Sequence, residues 1–153
     1  MKESTKRVTV AIAVVLREGR ILICQRRQQD SFGGYWEFPG GKLETGEELE
    51  ACVRREIREE LDLVIRPIDA LAAVRHEYPG LDLTLHPFLC ECVANEPRAI
   101  GCQALRWVLP RELGDYRFPP ASEPIIAEIQ RRLERRNPAT GSPTGIDLSA
   151  EQV

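Results

Sequence analysis

Three glutamates in the middle of the chain have a spacing that suits metal-assisted chemistry on a phosphate compound. Glu56, Glu59 and Glu60 stand at i, i+3 and i+4, so on an α-helix they occupy an arc of about 100° on one face. Glu56 and Glu60 are like charges at i+4, which destabilises a helix unless a cation compensates. Mg²⁺ takes hard oxygen ligands and bridges them to substrate phosphates. The three acids therefore predict a divalent metal site.

The alternative is a surface helix held by ordinary salt bridges. Arg55 and Glu59 form an opposite-charge pair at i+4, and such pairs are typically worth a few tenths of a kcal/mol. This alternative does not explain the like charges of Glu56 and Glu60. The apolar stripe of the same helix projects close to the direction of Glu60, so we expect the three acids to lie against the body of the protein rather than in solvent.

The segment before this helix contains a pair of glycines followed by a lysine. Gly40 and Gly41 let the backbone approach a ligand closely and expose a carbonyl, and Lys42 suits a phosphate. A glycine pair alone is typical of a plain turn, and here we expect it to end a short strand at Trp36–Phe38. Its spacing to the acids favours the functional interpretation.

Residues 41–63 resemble the Nudix box, GX5EX7REUXEEXGU, in which U is aliphatic. Every specified position matches except Asp62, where the family has glycine. Aspartate is among the few residues that tolerate a left-handed conformation after a helix, so we expect the fold to be unaffected.

Segments outside the box resemble the MutT branch of this family, the 8-oxo-dGTP diphosphatases. They are Gln25–Arg27, Trp36–Gly41 and Phe118–Pro124. Gln103–Leu105, before Trp107, is similar to the CTP pyrophosphohydrolases of the same branch.

The resemblance implies a fold and an activity. The fold is of the α/β class: a Nudix α/β/α sandwich with a mixed β-sheet, a catalytic loop-helix motif and a C-terminal helix. The activity is hydrolysis of a nucleoside triphosphate to the monophosphate and pyrophosphate. The first expected substrate is 8-oxo-dGTP, in sanitation of the nucleotide pool, and the alternative is CTP or dCTP.

The resemblance also implies roles for the residues around the acids. Mg²⁺ or Mn²⁺ would be held by the carbonyl of Gly40 together with Glu56, Glu59 and Glu60. Glu56 would also orient or deprotonate the attacking water. Arg55 would hold the glutamates in place by ion pairing.

Other implied roles concern the loop and the substrate. Glu47 would support the loop-helix junction, and Arg27 and Lys42 would meet phosphate charge. Arg27, Phe38 and Ser122 would select the base, although the MutT branch carries asparagine at the position of Ser122. Two ordinary interpretations stay open: Arg27 as a surface arginine, and Ser122 as the cap of the last helix.

Arg106 is a departure from the MutT pattern. That branch carries a glutamate just before the tryptophan corresponding to Trp107, so an acidic ligand or base is missing here. We expect Arg106 to lie near the metal cluster, where its charge would oppose a second Mg²⁺.

Hydrophobic patterning predicts strands on both sides of one mid-chain helix and a second helix at the end. The predicted strands are Val8–Leu16, Ile21–Cys24, Trp36–Phe38, Leu63–Val74, Leu81–Val93 and Ala104–Leu109. The predicted helices are Glu47–Leu61 and Ser122–Arg136. This order indicates an α/β sandwich with a mixed sheet and helices on both faces.

Length and composition predict one domain, residues 1–136, followed by a flexible C-terminal tail, residues 137–153. The chain has 153 residues, of which 42% are hydrophobic and 29% charged, enough for one buried core. A net charge of −3 and no long apolar run argue against a nucleic-acid partner and against a membrane span. We expect a small-molecule partner, a nucleoside triphosphate, and a monomer or homodimer.

Cysteine usage and the N-terminal residues predict a location. The five cysteines are an odd number without the spacing of a zinc site. The polar first residues do not resemble a secretory signal. We therefore expect a reducing cytoplasm.

Two alternatives come from other functional classes. A non-catalytic lesion-binding module similar to Nudix domains would lack the acidic triplet, which is intact here. An RNA-binding regulator would need aromatic residues among basic ones, whereas 6% of this chain is aromatic.

Overall fold

The computed structural model describes residues 4–135. The strands are β1 Lys6–Arg17, β2 Arg20–Gln25, β3 Trp36–Glu37, β4 Gly40–Lys42, β5 Val64–Ala70, β6 Val74–Tyr78, β7 Leu81–Ala94 and β8 Ala104–Val108. The helices are α1 Leu49–Leu61 and α2 Glu123–Arg135, and two short 3₁₀ helices span Pro110–Asp115 and Pro120–Ser122. The predicted tail, residues 137–153, lies outside the described residues.

The sheet is mixed, as predicted. β1 and β7 run parallel from Lys6 opposite Leu81 to Leu16 opposite Glu91, and the other described pairs are antiparallel. The main order is β3-β2-β1-β7-β5, with β4 on β1, β6 on β7 and β8 on β2. β1 therefore joins β4, the strand that precedes α1 and its loop, to the rest of the sheet.

Helices cover both faces of this sheet because side chains of a strand alternate between its faces. One face of β1 and β2 packs against α1, in a cluster that contains Ala11, Ala13, Val15, Leu22, Cys24, Cys52, Val53, Ile57 and Leu61. The other face packs against α2, in a cluster that contains Ile12, Val14, Ile21, Ile23, Phe38, Ile125 and Ile129. The predicted α/β/α sandwich is thus confirmed.

The glycine pair, which we expected to end the strand at Trp36–Phe38, is itself part of a strand. Gly40–Lys42 forms β4, antiparallel to β1 with Ala11 opposite Gly41. A Cβ atom on Gly40 would lie 2.7 Å from the Cα of Ile12, which is too close for a side chain. The missing Cβ of Gly40 therefore permits a close approach to β1.

Helix α1 begins at Leu49, two residues later than predicted. Glu47 is still in a turn, where its N–H donates to the carbonyl of Glu44 over 3.0 Å, and Glu48 has extended dihedrals. The helix ends at Leu61 and is capped by Asp62, which has the left-handed φ of 55° expected there and donates its N–H to the carbonyl of Arg58.

The predicted strand Leu63–Val74 is in fact one strand and the start of another. β5 ends at Ala70 and pairs with the C-terminal half of β7, whereas β6 begins at Val74 and pairs with its N-terminal half. Between them the buried Leu71 turns into the core. The apolar pattern of the segment does not reveal this break, because the break depends on how the two strands pair with β7, which comes later in the chain.

The helices and the cysteines bear on the expectations about a membrane span and a zinc site. No helix within residues 4–135 is long and apolar enough to cross a membrane. The five cysteines are free thiols, and all except Cys92 are buried.

Candidate active site

Arg55 is the centre of a polar network at the junction of β4, the following loop and α1. Its guanidinium donates to both carboxylate oxygens of Glu47, over 2.7 and 2.9 Å. It also donates to Glu56 over 3.1 Å, to Glu59 over 3.2 Å and to the carbonyl oxygen of Lys42 over 3.2 Å. The bidentate pair lowers the pKa of Glu47 to about 2. Arg55 therefore fixes the loop to the helix.

Glu59 does not lie against the body of the protein, so that expectation is wrong for this residue. Its side chain is 60% exposed and is held by Arg55, because it lies about 60° around the helix from Glu56 on the side away from Glu60. Within residues 4–135 no three His, Cys, Asp or Glu side chains form a preassembled metal cluster. The role of Glu59 as a metal ligand stays a prediction.

Glu56 and Glu60 each occupy space that a glycine leaves free. A Cβ atom on Gly41 would lie 2.5 Å from Oε2 of Glu56, and one on Gly101 would lie 2.8 Å from the carboxyl carbon of Glu60. The Glu56 side chain is 13% exposed. Both carboxylates are thus packed against backbone, as predicted.

The two packed carboxylates repel each other in a partly dry environment. Burial raises the pKa of Glu56 despite its contact with Arg55. Burial and the nearby charge of Glu56 raise the pKa of Glu60 to about 7, and Arg27 offsets part of this increase. The negative charge of the pair is therefore only partly compensated by residues of the chain.

Glu37 contributes to this charge and was missed by the sequence analysis. It lies opposite Cys24 on the sheet face that α1 covers, it is paired with Arg26 over 2.6 Å, and its charge raises the pKa of Glu60. The signal was available in the alternation of Trp36, Glu37 and Phe38, because Phe38 packs on the other face.

The donor set suits a hard divalent cation. Carboxylate oxygens with partly uncompensated charge are the ligands that Mg²⁺ and Mn²⁺ prefer. Glu56 and Glu60 are the residues that could hold such an ion.

The register of β4 supports a contribution from the carbonyl of Gly40. Leu43 donates its N–H to the carbonyl of Thr9, and Ala13 donates its N–H to the carbonyl of Pro39. In the antiparallel pair β1–β4 the odd-numbered residues therefore make the hydrogen bonds between the strands. The carbonyl of Gly40 consequently points away from β1. The carbonyl of Lys42 points the same way and accepts a hydrogen bond from Arg55.

The predicted substrate residues are divided between the two faces of the sheet. Arg27 lies beside the acids: it donates to the carbonyl of Ile100 over 2.5 Å and lowers the pKa of Glu60. Lys42 is opposite Val10, whose side chain packs on the α2 face, so the register does not direct its side chain toward Glu56 and Glu60.

Phe38 and Ser122 lie on the α2 face. Phe38 is 3% exposed, and its ring centroid is 5.1 Å from that of Phe118. Ser122 is also buried, in the 3₁₀ helix directly before α2. Their contact with a base stays a prediction.

Arg106 lies on the wrong face to meet a metal beside Glu56 and Glu60. Its neighbours Leu105 and Trp107 pack on the α1 face, so Arg106 points to the other face, where its guanidinium carbon is 5.6 Å from the ring centroid of Trp36. The expectation that it opposes a second metal is therefore corrected.

Arg106→Glu should leave the Mg²⁺ activation curve within about twofold of wild type, because the sheet separates this side chain from the acids and solvent screens its charge. Arg27→Glu is the matched comparison and should shift the same curve. Pyrophosphate release measured against Mg²⁺ concentration checks both variants. A clear shift in Arg106→Glu would show that its side chain does reach the metal.

Glu60→Gln should stabilise the metal-free protein above neutral pH. The pKa of Glu60 is about 7 in the fold against 4.5 for a free side chain, so the folded state binds this proton more tightly. Stability then falls as pH rises between those values and stays lower above them. Discounted for solvent screening the effect is roughly 1 kcal/mol, which raises Tm by about 2–4 °C.

Thermal unfolding in EDTA at acidic and alkaline pH measures this effect. Wild type and Glu60→Gln should agree near pH 5 and differ near pH 8. Glu50→Gln, an exposed position of the same helix, is the matched control and should show no such pH dependence. Equal Tm values for wild type and Glu60→Gln near pH 8 would contradict the uncompensated charge.

Comparisons with known proteins bear on the class. The NUDIX domain family matches residues 10–128. The 8-oxo-dGTP diphosphatase of Escherichia coli K12 is 32% identical over 127 residues, which cover 82% of this chain and 98% of that protein. The CTP pyrophosphohydrolase of the same organism is 34% identical over 134 residues, with 88% and 98% covered.

Solved structures show the same fold. The solution structure of the E. coli ORF135 protein has a TM-score of 0.73 and 33% identity, covering 88% of this chain and 96% of that one. The crystal structure of the MutT protein from Methanosarcina mazei Go1 has a TM-score of 0.75, with 90% and 99% covered, and at 22% identity it supports the fold alone.

A mixed sheet between two helices, with an arginine-held acidic helix against a glycine strand, makes the protein an α/β/α sandwich with a loop-helix site. The family match covers most of the chain. This chain belongs to the Nudix hydrolase family.

Proposed function

We propose that this Nudix hydrolase converts 8-oxo-dGTP to 8-oxo-dGMP and pyrophosphate with Mg²⁺ or Mn²⁺. The observation that carries the proposal is the pair Glu56 and Glu60, packed against glycines with partly uncompensated charge. The relative named 8-oxo-dGTP diphosphatase supports the substrate, since the match covers 98% of that protein.

The residues of the chain divide the work. Glu56 and Glu60, with the Gly40 carbonyl, would hold the ion, and Glu59 stays the third proposed ligand. A divalent ion held there would offset the negative charge of the phosphate oxygens and would make the attacking water more acidic.

Glu56 would also orient the attacking water and accept its proton while the anhydride bond between the α- and β-phosphates breaks and releases the monophosphate and pyrophosphate. Arg55 keeps that carboxylate in place. Arg27, exposed beside Glu60, meets the charge of the phosphates. Lys42 is proposed for the same charge, although its flexible side chain would have to reach the phosphates from the other face of β4.

Ser122→Asn should sharpen the choice of base. A serine hydroxyl offers one rotatable donor, whereas an asparagine amide offers a donor and an acceptor together, which suits O6 and the N7 proton of the oxidised purine. Rejection of an analogue needs buried polar groups that it leaves unpaired. We therefore expect the ratio of kcat/KM for 8-oxo-dGTP over dGTP to rise at least about tenfold.

Ser122→Ala separates base selection from helix capping. If Ser122 only caps α2, the alanine variant loses thermal stability and all substrate ratios stay as in wild type. If Ser122 meets the base, the ratios change. Unchanged ratios in both Ser122→Asn and Ser122→Ala would place the base pocket elsewhere.

The second candidate is a CTP or dCTP pyrophosphohydrolase. The 34% identity to the relative of that name and the segment Gln103–Leu105 favour it. Including dCTP and CTP in the same kinetic panel distinguishes the two, because the better substrate has the higher kcat/KM. A non-catalytic lesion-binding module is opposed by the intact Glu56, Glu59 and Glu60.

A further inference from the structure

The loop between β7 and β8 is attached to the end of the acidic helix at Glu60. The backbone N–H groups of Ile100 and Gly101 both donate to the carbonyl oxygen of Glu60, over 3.2 and 3.0 Å, and Arg98 donates to that of Leu61 over 2.8 Å. Carbonyls in the last turn of a helix have no partner within the helix. Residues 98–101, which we call the capping loop, supply these partners.

Asp62 adds a side-chain attachment for the capping loop. Its carboxylate lies 3.7 Å from the guanidinium of Arg98 and 3.2 Å from that of Arg58. Its carbonyl accepts a hydrogen bond from the side chain of Asn95. Glycine, which the Nudix pattern has at this position, would offer no carboxylate. The departure from the family pattern therefore adds one ion pair, to Arg98, between this loop and the end of the helix.

Gly101 faces the carboxylate of Glu60 directly. A Cβ atom there would lie 2.8 Å from the carboxyl carbon of Glu60, closer than side-chain atoms pack. Gly101 is not among the residues with positive φ, so its backbone conformation accepts alanine. The conflict would be with the Glu60 side chain. Because that carboxylate is the far end of a flexible chain, it would move and the fold would persist.

We propose that Gly101 is a positioning residue for Glu60. Because it lacks a side chain, it determines where this carboxylate lies, and the capping loop holds Gly101 beside the end of α1. The inference rests on the proposed function, in which Glu60 holds the divalent ion.

Gly101→Ala is the direct test. We expect the Kd for Mn²⁺, measured from free Mn²⁺ by electron paramagnetic resonance without substrate, to rise at least about fivefold as the carboxylate is displaced. We expect kcat to fall at least about tenfold, while KM stays within about twofold. Gly114→Ala is the matched control, because Gly114 has open space around its Cα, and it should behave as wild type.

A double-mutant cycle separates this role from general loop stability. If Gly101 acts through Glu60, then Gly101→Ala costs less than about twofold in kcat once Glu60→Gln is present. An equal cost in both backgrounds, or wild-type Mn²⁺ binding in folded Gly101→Ala, would overturn the inference. Wild-type activity of Glu60→Gln alone would instead refute the proposed role of Glu60.

A shortened acid keeps the test decisive if Gly101→Ala does not fold. Glu60→Asp withdraws the carboxylate by one methylene, so the double variant Gly101→Ala with Glu60→Asp should fold with the Tm of Glu60→Asp alone. Failure of this double variant to fold would show that a side chain at 101 conflicts with something other than Glu60, and would overturn the inference.

Discussion

Glu56→Gln should lower kcat at least about a hundredfold, and Glu60→Gln should do the same, since groups that provide charge or proton transfer typically contribute that much. Glutamine keeps the shape of glutamate and removes its charge. Both side chains are packed against glycine backbone, so the variants fill the same space. Steady-state pyrophosphate release, with circular dichroism to verify folding, measures the effect.

Two comparisons keep this result interpretable. Glu50→Gln lies on the same helix in an exposed position and should retain wild-type turnover. Glu60→Gln should have this much lower kcat and yet be more stable than wild type in EDTA above neutral pH, so unfolding cannot account for its loss of activity. Near-normal turnover in folded Glu56→Gln or Glu60→Gln would remove the acidic pair from the reaction.

Arg55→Lys should lower kcat at least about tenfold although the positive charge is kept. The guanidinium contacts Glu47 through two hydrogen bonds while it also contacts Glu56 and Glu59, and a lysine ammonium cannot reproduce that planar, forked geometry. Glu56 would lose its fixed orientation, and misplacement of a reacting group by about 1 Å can cost a hundredfold in rate.

Arg54→Lys is the matched control, because Arg54 is the neighbouring arginine and is exposed. It should keep wild-type kcat, whereas Arg55→Lys should lose activity and also need more Mg²⁺ for half-maximal rate. Wild-type kinetics in Arg55→Lys would mean that its charge alone, and not its geometry, matters to the site.

Local pattern was sufficient to predict the helices and most strands. The four-residue apolar repeat of α1 and the apolar runs of β1 and β2 report burial on one helix face and on two sheet faces. The pairing of strands that are distant in the sequence could not be predicted from local patterns. The strand β4 depends on β1, and the break between β5 and β6 depends on the length of β7.

The sequence predicted which residues form the site, but it predicted only part of their geometry. The spacing of Glu56 and Glu60 indicated a charged pair, and the structure packs it against glycines. The exposed position of Glu59 follows from its place on the helix, on the side of Glu56 away from Glu60. The contact of Gly101 with Glu60 links segments about forty residues apart, so spacing along the chain carries no signal for it.

The sheet face on which Arg106 lies shows a different limit of prediction from sequence. Alternation along β8 places it opposite to Leu105 and Trp107, but a sequence does not state which face carries the acids. Alignment with a family pattern therefore suggested proximity to the metal, and strand geometry decides against it.

The products formed from 8-oxo-dGTP, followed by phosphorus NMR with Mg²⁺ and with EDTA, are the direct test of the proposed metal-dependent hydrolysis. We expect 8-oxo-dGMP and pyrophosphate in equal amounts with Mg²⁺ and no turnover in EDTA. Undiminished turnover in EDTA, release of orthophosphate instead of pyrophosphate, or no hydrolysis of 8-oxo-dGTP, dGTP, dCTP or CTP would contradict it.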